Sequence, residues 1–361
     1  MAKQRDPVLD SMRGIGIVLM VLGHAGFPSS SFIYLFHMAL FFMLSGWFFS
    51  PHTGESAHRL ARFAKRKVVT LWLPFVAANT VYTLLTNLFL KVNILTGNER
   101  ILDLPGNLVT TPVTIKDIIG RTAHWSVFDG GTQLGGAMWF IQALFQISLL
   151  YASVEFLLKK LLRSGDTLIP QGLFAGVLLW IGWQAQRIGW NVWGLGIAAS
   201  CYCLFYLGVV LHRVQHPHGP ACGALCCAGA FVVLLVLGQF GSVGLAGNSY
   251  PGPLYLLAAS LAGWMLVYEG AHLLARVPAV SGAFSALGRA TMPIVILHFL
   301  AFKPVTWLGL LGTGGESYLL AAFPIYFTGG AWWVAYTAAG LALPLLAYAV
   351  WVRLKKAVRR G

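Results

Sequence analysis

Apolar stretches of roughly 18 to 25 residues recur along almost the whole chain, each long enough to cross about 30 Å of hydrocarbon as a helix. A bilayer core offers no water to a backbone amide, so such a chain folds into helices that satisfy their own hydrogen bonds. The residue balance agrees, with 57% hydrophobic and 10% charged among 361 residues, outside the range of soluble globular domains. The sequence therefore reads as an all-α polytopic membrane protein, one integral-membrane domain over 1–361 with no soluble domain of ordinary size left over. The first apolar segment is expected to be retained, because the polar start MAKQRDPVLD does not resemble a cleaved secretory leader.

Glycine, proline and charge punctuation divides the chain into about ten transmembrane helices, near 12–28, 32–50, 68–90, 138–158, 168–187, 191–211, 222–240, 253–272, 287–308 and 331–352. Lys3 and Arg5 precede the first span. HRLARFAKRK follows the second, KKLLR the fourth, HRV the sixth and HLLAR the eighth, and RLKKAVRR ends the chain. With ten spans all of these basic segments fall on one side, so the positive-inside rule places both termini in the cytoplasm. Lys+Arg 25 against Asp+Glu 11 thus marks topology, and no nucleic acid is expected as a partner. The basic amphipathic stretch within 51–67 is read as cytoplasmic and suits anionic lipid headgroups. On the outer side, the loop 91–137 is long enough to be either an ordered cap that binds a hydrophilic ligand or an insertion that binds none. The segment GESYLLAAFPIYFTGG, 315–330, reads as partly inserted from the outer side.

None of the five cysteines, Cys201, Cys203, Cys222, Cys226 and Cys227, forms a CxxC pair, and they read as small apolar residues. HRVQHPHGPACGALCC gathers His212, His216, His218, Cys222 and Cys226, which invites a metal-site reading. A positively charged, solvated turn accounts for the same residues, and no metal is expected.

Charge at bilayer depth is costly, which makes ionisable residues inside spans candidates for function. In LDSMRGIGIVLMVLGHAGF, Arg13 and His24 are eleven positions apart and differ by about 20° around a helix axis, with Asp10 on the same side. The face runs from Arg13 near the cytoplasmic end to His24 roughly 16 Å deeper. Asp10 and Arg13 pair at i, i+3; alternatively Asp10 caps the helix and Arg13 snorkels to the interface. The second span adds His37 in FHMALFFMLSGWFF, where Ser45 and Gly46 allow close helix packing. AMWFIQALFQ places Trp139, Gln142 and Gln146 near one face, and LGRATMPIVILHFL places Thr291 and His298 in the ninth span. These clusters suggest a polar cavity. Glu155 and Glu269, near helix ends, read as packing or salt-bridge residues.

A neutral imidazole can take a proton from a hydroxyl as that hydroxyl attacks an electrophile. A basic mouth of Arg13, Arg59, Arg62, Lys65, Arg66 and Lys67 suits a phosphorylated carrier. An acyl-coenzyme A, with phosphates in the cytoplasm and a thioester on a long arm, fits that arrangement. Intramembrane His and Arg also serve proton relays, so a proton-coupled small-molecule transporter is the alternative, although no inverted repeat is evident.

LDSMRGIGIVLMVLGHA, FHMALFFMLSGWFF, KRKVVTLWLPF, MWFIQALF and LGRATMPIVILHFL stand in the order and spacing of the membrane acyltransferase family 3, which the chain resembles over nearly its whole length. The resemblance implies about ten spans and transfer of acetyl or another short acyl group to a sugar, polysaccharide, peptidoglycan, lipid or antibiotic. It implies functional roles for Arg13, His24 and His37, with His24 as base or transient acyl acceptor, and Asp10 joins the candidate site as the partner that spacing gives Arg13. Acetyl-CoA is the implied donor, contacted by Arg13 and by arginines of the segment after span two, Arg59, Arg62 and Arg66, beside Lys67. The implied acceptor is a hydroxyl of a glycan, glycolipid or other cell-envelope molecule near His37, Trp139, Gln142 and His298. Ala39 stands where that family usually has proline, a change that bears on helix bend. With no hydrolase-like domain expected after the last span, stand-alone sugar O-acetylases of the bacterial cytoplasmic membrane are the nearest resemblance.

Overall fold

The computed structural model describes residues 6–162 and 166–358. Lys3, Arg5, Arg163, Arg359 and Arg360 of the expected basic flanks lie outside the described residues. The helices in chain order are α1 Pro7–His24, α2 Ser30–Tyr34, α3 His37–Trp47, α4 Ala57–Lys67, α5 Leu73–Leu84, α6 Thr86–Lys91, α7 Ile115–Ser126, α8 Trp139–Leu162, α9 Leu168–Arg187, α10 Leu195–Val214, α11 Pro220–Phe240, α12 Pro253–Leu274, α13 Pro278–Arg289, α14 Thr291–Thr313 and α15 Trp332–Val358. Among the described residues there is no strand beyond one isolated bridge, Gly244 with Ser249. Nine helical stretches among the described residues are long and apolar enough to cross a membrane. Leu173, Val177, Leu225, Val232, Leu346 and Val350 leave apolar surface exposed along α9, α11 and α15, a surface that hydrocarbon covers and water would not tolerate. The chain is an all-α polytopic membrane protein.

The stretch expected as one span over 68–90 is helical but interrupted. A π turn over Val68–Trp72 leads into α5, and Leu85 separates α5 from α6. Pro74 accounts for the first irregularity, since it supplies no N–H to the preceding turn and its ring crowds the carbonyl four residues back. Thr70 Oγ1 donates to the Arg66 carbonyl at 2.8 Å. The second span also bends. Leu35 and Phe36 tighten into i−3 hydrogen bonds between α2 and α3, and a Cβ on Gly263 of α12 would lie 2.1 Å from the Phe36 Cβ. Phe36 therefore occupies the notch that this glycine leaves, and His37 becomes the first residue of α3 instead of lying inside an unbroken helix.

Two compact units make up the chain. The first comprises Met1–Gly16, Ser31–Phe75 and Trp139–Ser285. In it α3 and α10 meet backbone to backbone: a Cβ on Gly46 would lie 1.9 Å from the Phe205 carbonyl oxygen, and one on Gly208 1.9 Å from that of Met43. Small residues let membrane helices approach this closely, as expected for Gly46. The start of α1 packs on α13 in the same manner, a Cβ on Gly14 falling 1.9 Å from the Phe284 carbonyl oxygen. A serine seam accompanies that contact, with Ser11 Oγ 3.0 Å from Ser285 Oγ and Ser285 Oγ donating to the Pro7 carbonyl at 2.9 Å. Glu155 is buried among Thr167 Oγ1 at 2.7 Å, Gln171 Nε2 at 3.2 Å and Lys159 Nζ at 3.4 Å.

The second unit comprises Ile17–Ser30, Val76–Met138 and Ala286–Gly361. α14 packs on α15, where Phe302 sits against Gly340 and Thr306 Oγ1 lies 2.9 Å from Tyr336 Oη. The 91–137 segment is ordered. Asn87 brackets the Val113 backbone with two 2.8 Å hydrogen bonds, and Thr114 with Asp117 forms a capping box that starts α7. The Thr114 amide and hydroxyl hold the Asp117 carboxyl below its ordinary range.

Gly208→Val is expected to lower the thermal unfolding midpoint in detergent. Branched carbon forced against the Met43 carbonyl costs about 1 to 3 kcal/mol or more in overpacking. An exposed control, Gly229→Val, where a Cβ meets nothing within 4 Å, is expected to leave the midpoint nearly unchanged.

Candidate active site

α1 is one uninterrupted helix from Pro7 to His24, so Asp10 and Arg13 near its start and His24 at its end share the helix face that their spacing predicts. The cap is made by Asp6, whose Oδ1 accepts from the Val8 amide at 2.9 Å and from that of Leu9 at 3.4 Å. Asp10 is left for Arg13: it is buried, and Arg13 Nη1 reaches its Oδ1 at 3.1 Å. The Arg13 guanidinium also lies over the Phe48 ring, 4.4 Å from its centroid. A paired carboxylate and a stacked ring orient the guanidinium as snorkelling alone would not.

In the second unit His24 meets His298. The imidazoles stack with centroids 5.4 Å apart and planes 30° apart, and Phe299 packs edge-on to His24 at 4.9 Å. His24 is part-buried, whereas His298 has no exposed surface. His298 Nδ1 lies 3.0 Å from the Ile294 and Val295 carbonyls. A carbonyl only accepts, so Nδ1 carries a hydrogen, which orients the ring. Its Nε2 is buried with no hydrogen-bond partner among the described residues. Buried polar atoms are normally paired, and an orphaned one at a candidate centre is an opening for a ligand.

The turn Gln133–Met138 packs on α14 and connects this neighbourhood to a cavity of about 210 Å³ lined by Tyr82, Thr86, Arg121, Trp125, Thr132, Gln133 and neighbouring loop residues. Tyr82 donates through Oη to the Ile296 carbonyl, two residues before His298. Asn79 Oδ1 accepts from both the amide and the hydroxyl of Thr132, at 2.8 and 2.9 Å, fixing that rim. Gln133 Nε2 is a further buried atom with no partner among the described residues.

The basic segment forms its own site in the first unit. Pro51–Glu55 makes a 3₁₀ turn, and Ser56 accepts from the Arg59 amide to start α4. A cavity of about 250 Å³ is lined by Ser50, His52, Thr53, Arg59, Arg62, Phe63 and Arg66. Glu55 accepts from Arg59 and pairs with His52; the His52 hydrogen bond, with the Arg59 charge, holds its carboxyl below the usual range. Lys67 Nζ lies 5.2 Å and the Arg66 guanidinium 5.6 Å from the Phe63 ring centroid. Arg66 over the Phe63 ring, with exposed Arg59 and Arg62 beside small hydroxyl side chains, gives a solvent-open cavity of positive charge.

The remaining candidates lie elsewhere in the first unit. His37 is buried with Nδ1 3.0 Å from the Ile33 carbonyl. Trp139 packs on Phe42 at 6.4 Å. Gln142 and Gln146 donate through Nε2 to the Trp193 carbonyl at 2.6 and 2.8 Å. Trp193 has φ of 51°, a left-handed conformation strained for a bulky residue, and the two amides hold that turn.

Sequence reasoning passed over Lys303. It is fully within α14 and buried, and its ammonium donates to the carbonyls of Leu320, Ala321 and Ala322 at 3.0, 3.2 and 2.8 Å. The signal was present as one lysine in the apolar run HFLAFKPVTW. Asn107 Oδ1 accepts from the Phe323 amide at 2.7 Å and Arg100 pairs with Glu316 at 2.8 Å, so the irregular segment after α14 is tied down along its length.

Helices of this length and apolarity among the described residues define an integral membrane protein. The family model of the acyltransferase domain, acyltransferase family 3, matches residues 6–350, and the chain belongs to that family. No curated protein and no solved structure matches it. The protein is a membrane acyltransferase, and nothing in the fold or the family match favours the transport reading.

Lys303→Met is expected to release the segment 317–322 by leaving three buried carbonyls without their donor, at about 1 to 3 kcal/mol each. Hydrogen exchange of Leu319 to Ala322 read by mass spectrometry should accelerate, while that of α10 should not change.

Proposed function

We propose that the protein transfers an acetyl group from cytoplasmic acetyl-CoA to a hydroxyl of a glycan, glycolipid or other cell-envelope acceptor in the bacterial cytoplasmic membrane, with both termini on the cytoplasmic side and the whole chain acting as one domain. The observation that carries this reading is the His24–His298 stack. One ring is part-buried, and the other is held by backbone carbonyls with its Nε2 unpaired among the described residues.

His24, the ring with access, removes the proton of the acceptor hydroxyl. The hydroxyl oxygen bonds to the thioester carbonyl carbon, the carbon–sulfur bond breaks, and the proton passes from His24 to the departing thiolate. Transfer through an acetyl-imidazole on His24 uses the same residue as nucleophile. His298 Nε2, a lone-pair acceptor because Nδ1 carries the ring hydrogen, is the second polar atom for the acceptor hydroxyl, and the Nδ1–H bonds to fixed carbonyls keep its orientation. The 250 Å³ cavity with Arg59, Arg62 and Arg66 suits the phosphates of the donor, with Lys67 adding positive charge and Arg13 held ready by Asp10. The outer cavity, which combines Trp125, Arg121 and several hydroxyls, suits a sugar, because a pyranose lays its C–H face on an aromatic ring and exchanges hydrogen bonds through its hydroxyls. His37, Trp139 and Gln142, expected as acceptor contacts, lie in the first unit, on the Ile33 carbonyl, the Phe42 ring and the Trp193 carbonyl.

In membranes supplied with acetyl-CoA, His24→Ala is expected to reduce transfer by about 10²- to 10⁴-fold, the range of a lost general base, with unchanged membrane insertion. His298→Asn keeps a donor close to Nδ1 and removes Nε2; it is expected to lower kcat/KM without abolishing turnover. Undiminished acetyl transfer by His24→Ala would remove His24 from the mechanism. Mass spectrometry of envelope glycans with and without the chain identifies the acceptor.

Arg59→Gln with Arg62→Gln is expected to raise the KM for acetyl-CoA several-fold while kcat changes little, because phosphate contacts far from the reacting carbon bind ground and transition states alike. The wild-type KM should itself rise with ionic strength as the exposed charges are screened.

A further inference from the structure

α11 begins with a cluster that acyl transfer does not use. Pro220 opens the helix after Gly219, so Cys222 and Cys226, four residues apart, project from one face, and His218 stands just ahead of the first turn. The ligand atoms of His218, Cys222 and Cys226 all lie within 4.8 Å of one another. Zn–S near 2.3 Å and Zn–N near 2.0 Å set neighbouring donors of a tetrahedral ion roughly 3.5 Å apart. Rotation of side chains that are exposed or half-buried closes the difference without moving backbone.

The surroundings complete the arrangement. His218 Nδ1 is 2.7 Å from Glu269 Oε1 on α12, and the Glu269 side chain is 1% exposed. A Cβ at Gly223 would come 2.9 Å from Glu269 Oε2, so a glycine at that position lets the carboxylate approach the first turns of α11. An imidazole whose Nδ1–H is taken by a buried carboxylate presents Nε2 as a ligand in a fixed orientation. The connector is pinned on its other side as well: Trp264 Nε1 donates to Gln215 Oε1 at 2.6 Å. All five cysteines are free thiols.

We propose that His218, Cys222 and Cys226 bind a zinc-class d¹⁰ cation, with Glu269 positioning the imidazole and one coordination position left for water. Binding replaces the two S–H protons by metal–sulfur bonds, so each ion taken up releases two protons to solvent. Two soft sulfurs with one imidazole select zinc over magnesium or calcium, which take oxygen donors. The ion ties His218 of the connector to the first turns of α11, and Glu269 links that imidazole to α12 by a hydrogen bond. The segment expected as a positive, solvated turn thereby becomes a metal-held start of α11.

The full chain in detergent, purified without chelators, incubated with Zn²⁺ and desalted, should retain one zinc per chain by elemental analysis. Cys222→Ser/Cys226→Ser should retain none. Co²⁺ added to the metal-free wild type should give thiolate-to-cobalt charge-transfer bands and the strong visible bands of tetrahedral cobalt. Glu269→Gln should keep the band positions and weaken Zn²⁺ affinity by about 10- to 100-fold, the usual cost of a lost carboxylate partner. Absence of charge-transfer bands in the wild type overturns the site whatever the variants do, as does equal zinc retention by the double serine variant. Full retention by His218→Asn overturns the imidazole ligand.

Discussion

Inside hydrocarbon a backbone carbonyl has only the chain itself to bond to, and this constraint organises the whole protein. Regular helices meet it without help. Where the backbone departs from helix, side chains supply the missing donors. Lys303 serves three carbonyls after α14, and Gln142 with Gln146 serves the Trp193 carbonyl in the turn before α10. The same device holds the candidate centre, since His298 Nδ1 is bound to backbone carbonyls of its own helix. A ring fixed in this way cannot turn its other nitrogen to a compromise partner, and Nε2 stays without one among the described residues, on the ring that stacks with His24. Rigid presentation of a few polar atoms in an otherwise apolar helix face is what a reacting group requires.

The tight helix contacts serve that rigidity. Gly46 against α10, and Gly14 against α13, bring backbones together where any side chain would hold them apart. The Gly14 contact seats the start of α1, where Asp10 and Arg13 lie, on α13. The Asp10–Arg13 pair and the Phe48 ring fix one end of the helix, and the His298 and Phe299 rings surround the other. The cavity at α4 is built differently, from exposed Arg59, Arg62 and Arg66 beside Phe63, and exposed charges of this kind are screened by salt.

Much of this was legible in the residues themselves. Span lengths predict the helices, and eleven-residue spacing puts Arg13 and His24 on one face, because helix periodicity is a local property. The pairing of His24 with His298 was less so: both were marked as polar residues in apolar spans, yet 274 positions separate them, and no periodicity relates one helix to another. Gln142 carried a substrate reading at the level of residue type; that its amide also bonds the Trp193 carbonyl meets a need that arises only once Trp193 has adopted positive φ. Lys303 was written in the sequence as an isolated charge but could not be interpreted before its three carbonyl acceptors were known. Pro74, read as part of an ordinary span, sets a π turn because a missing N–H acts on the geometry of the turn before it.

The sequence by itself determined that the chain is a helical membrane protein, which residues lie at depth, and which motifs it shares with a family of acyltransferases, since apolar length and helical period depend only on neighbours along the chain. The tertiary structure alone decided which of those polar residues meet. It set His24 against His298, gave Asp10 to Arg13 and the cap to Asp6, and put His218 on Glu269 beside two thiols. The Asp6 cap and the Asp10–Arg13 pair are local contacts between which the sequence left the choice open, whereas the His24–His298 and His218–Glu269 contacts join separate segments of the chain, whose approach no local pattern specifies.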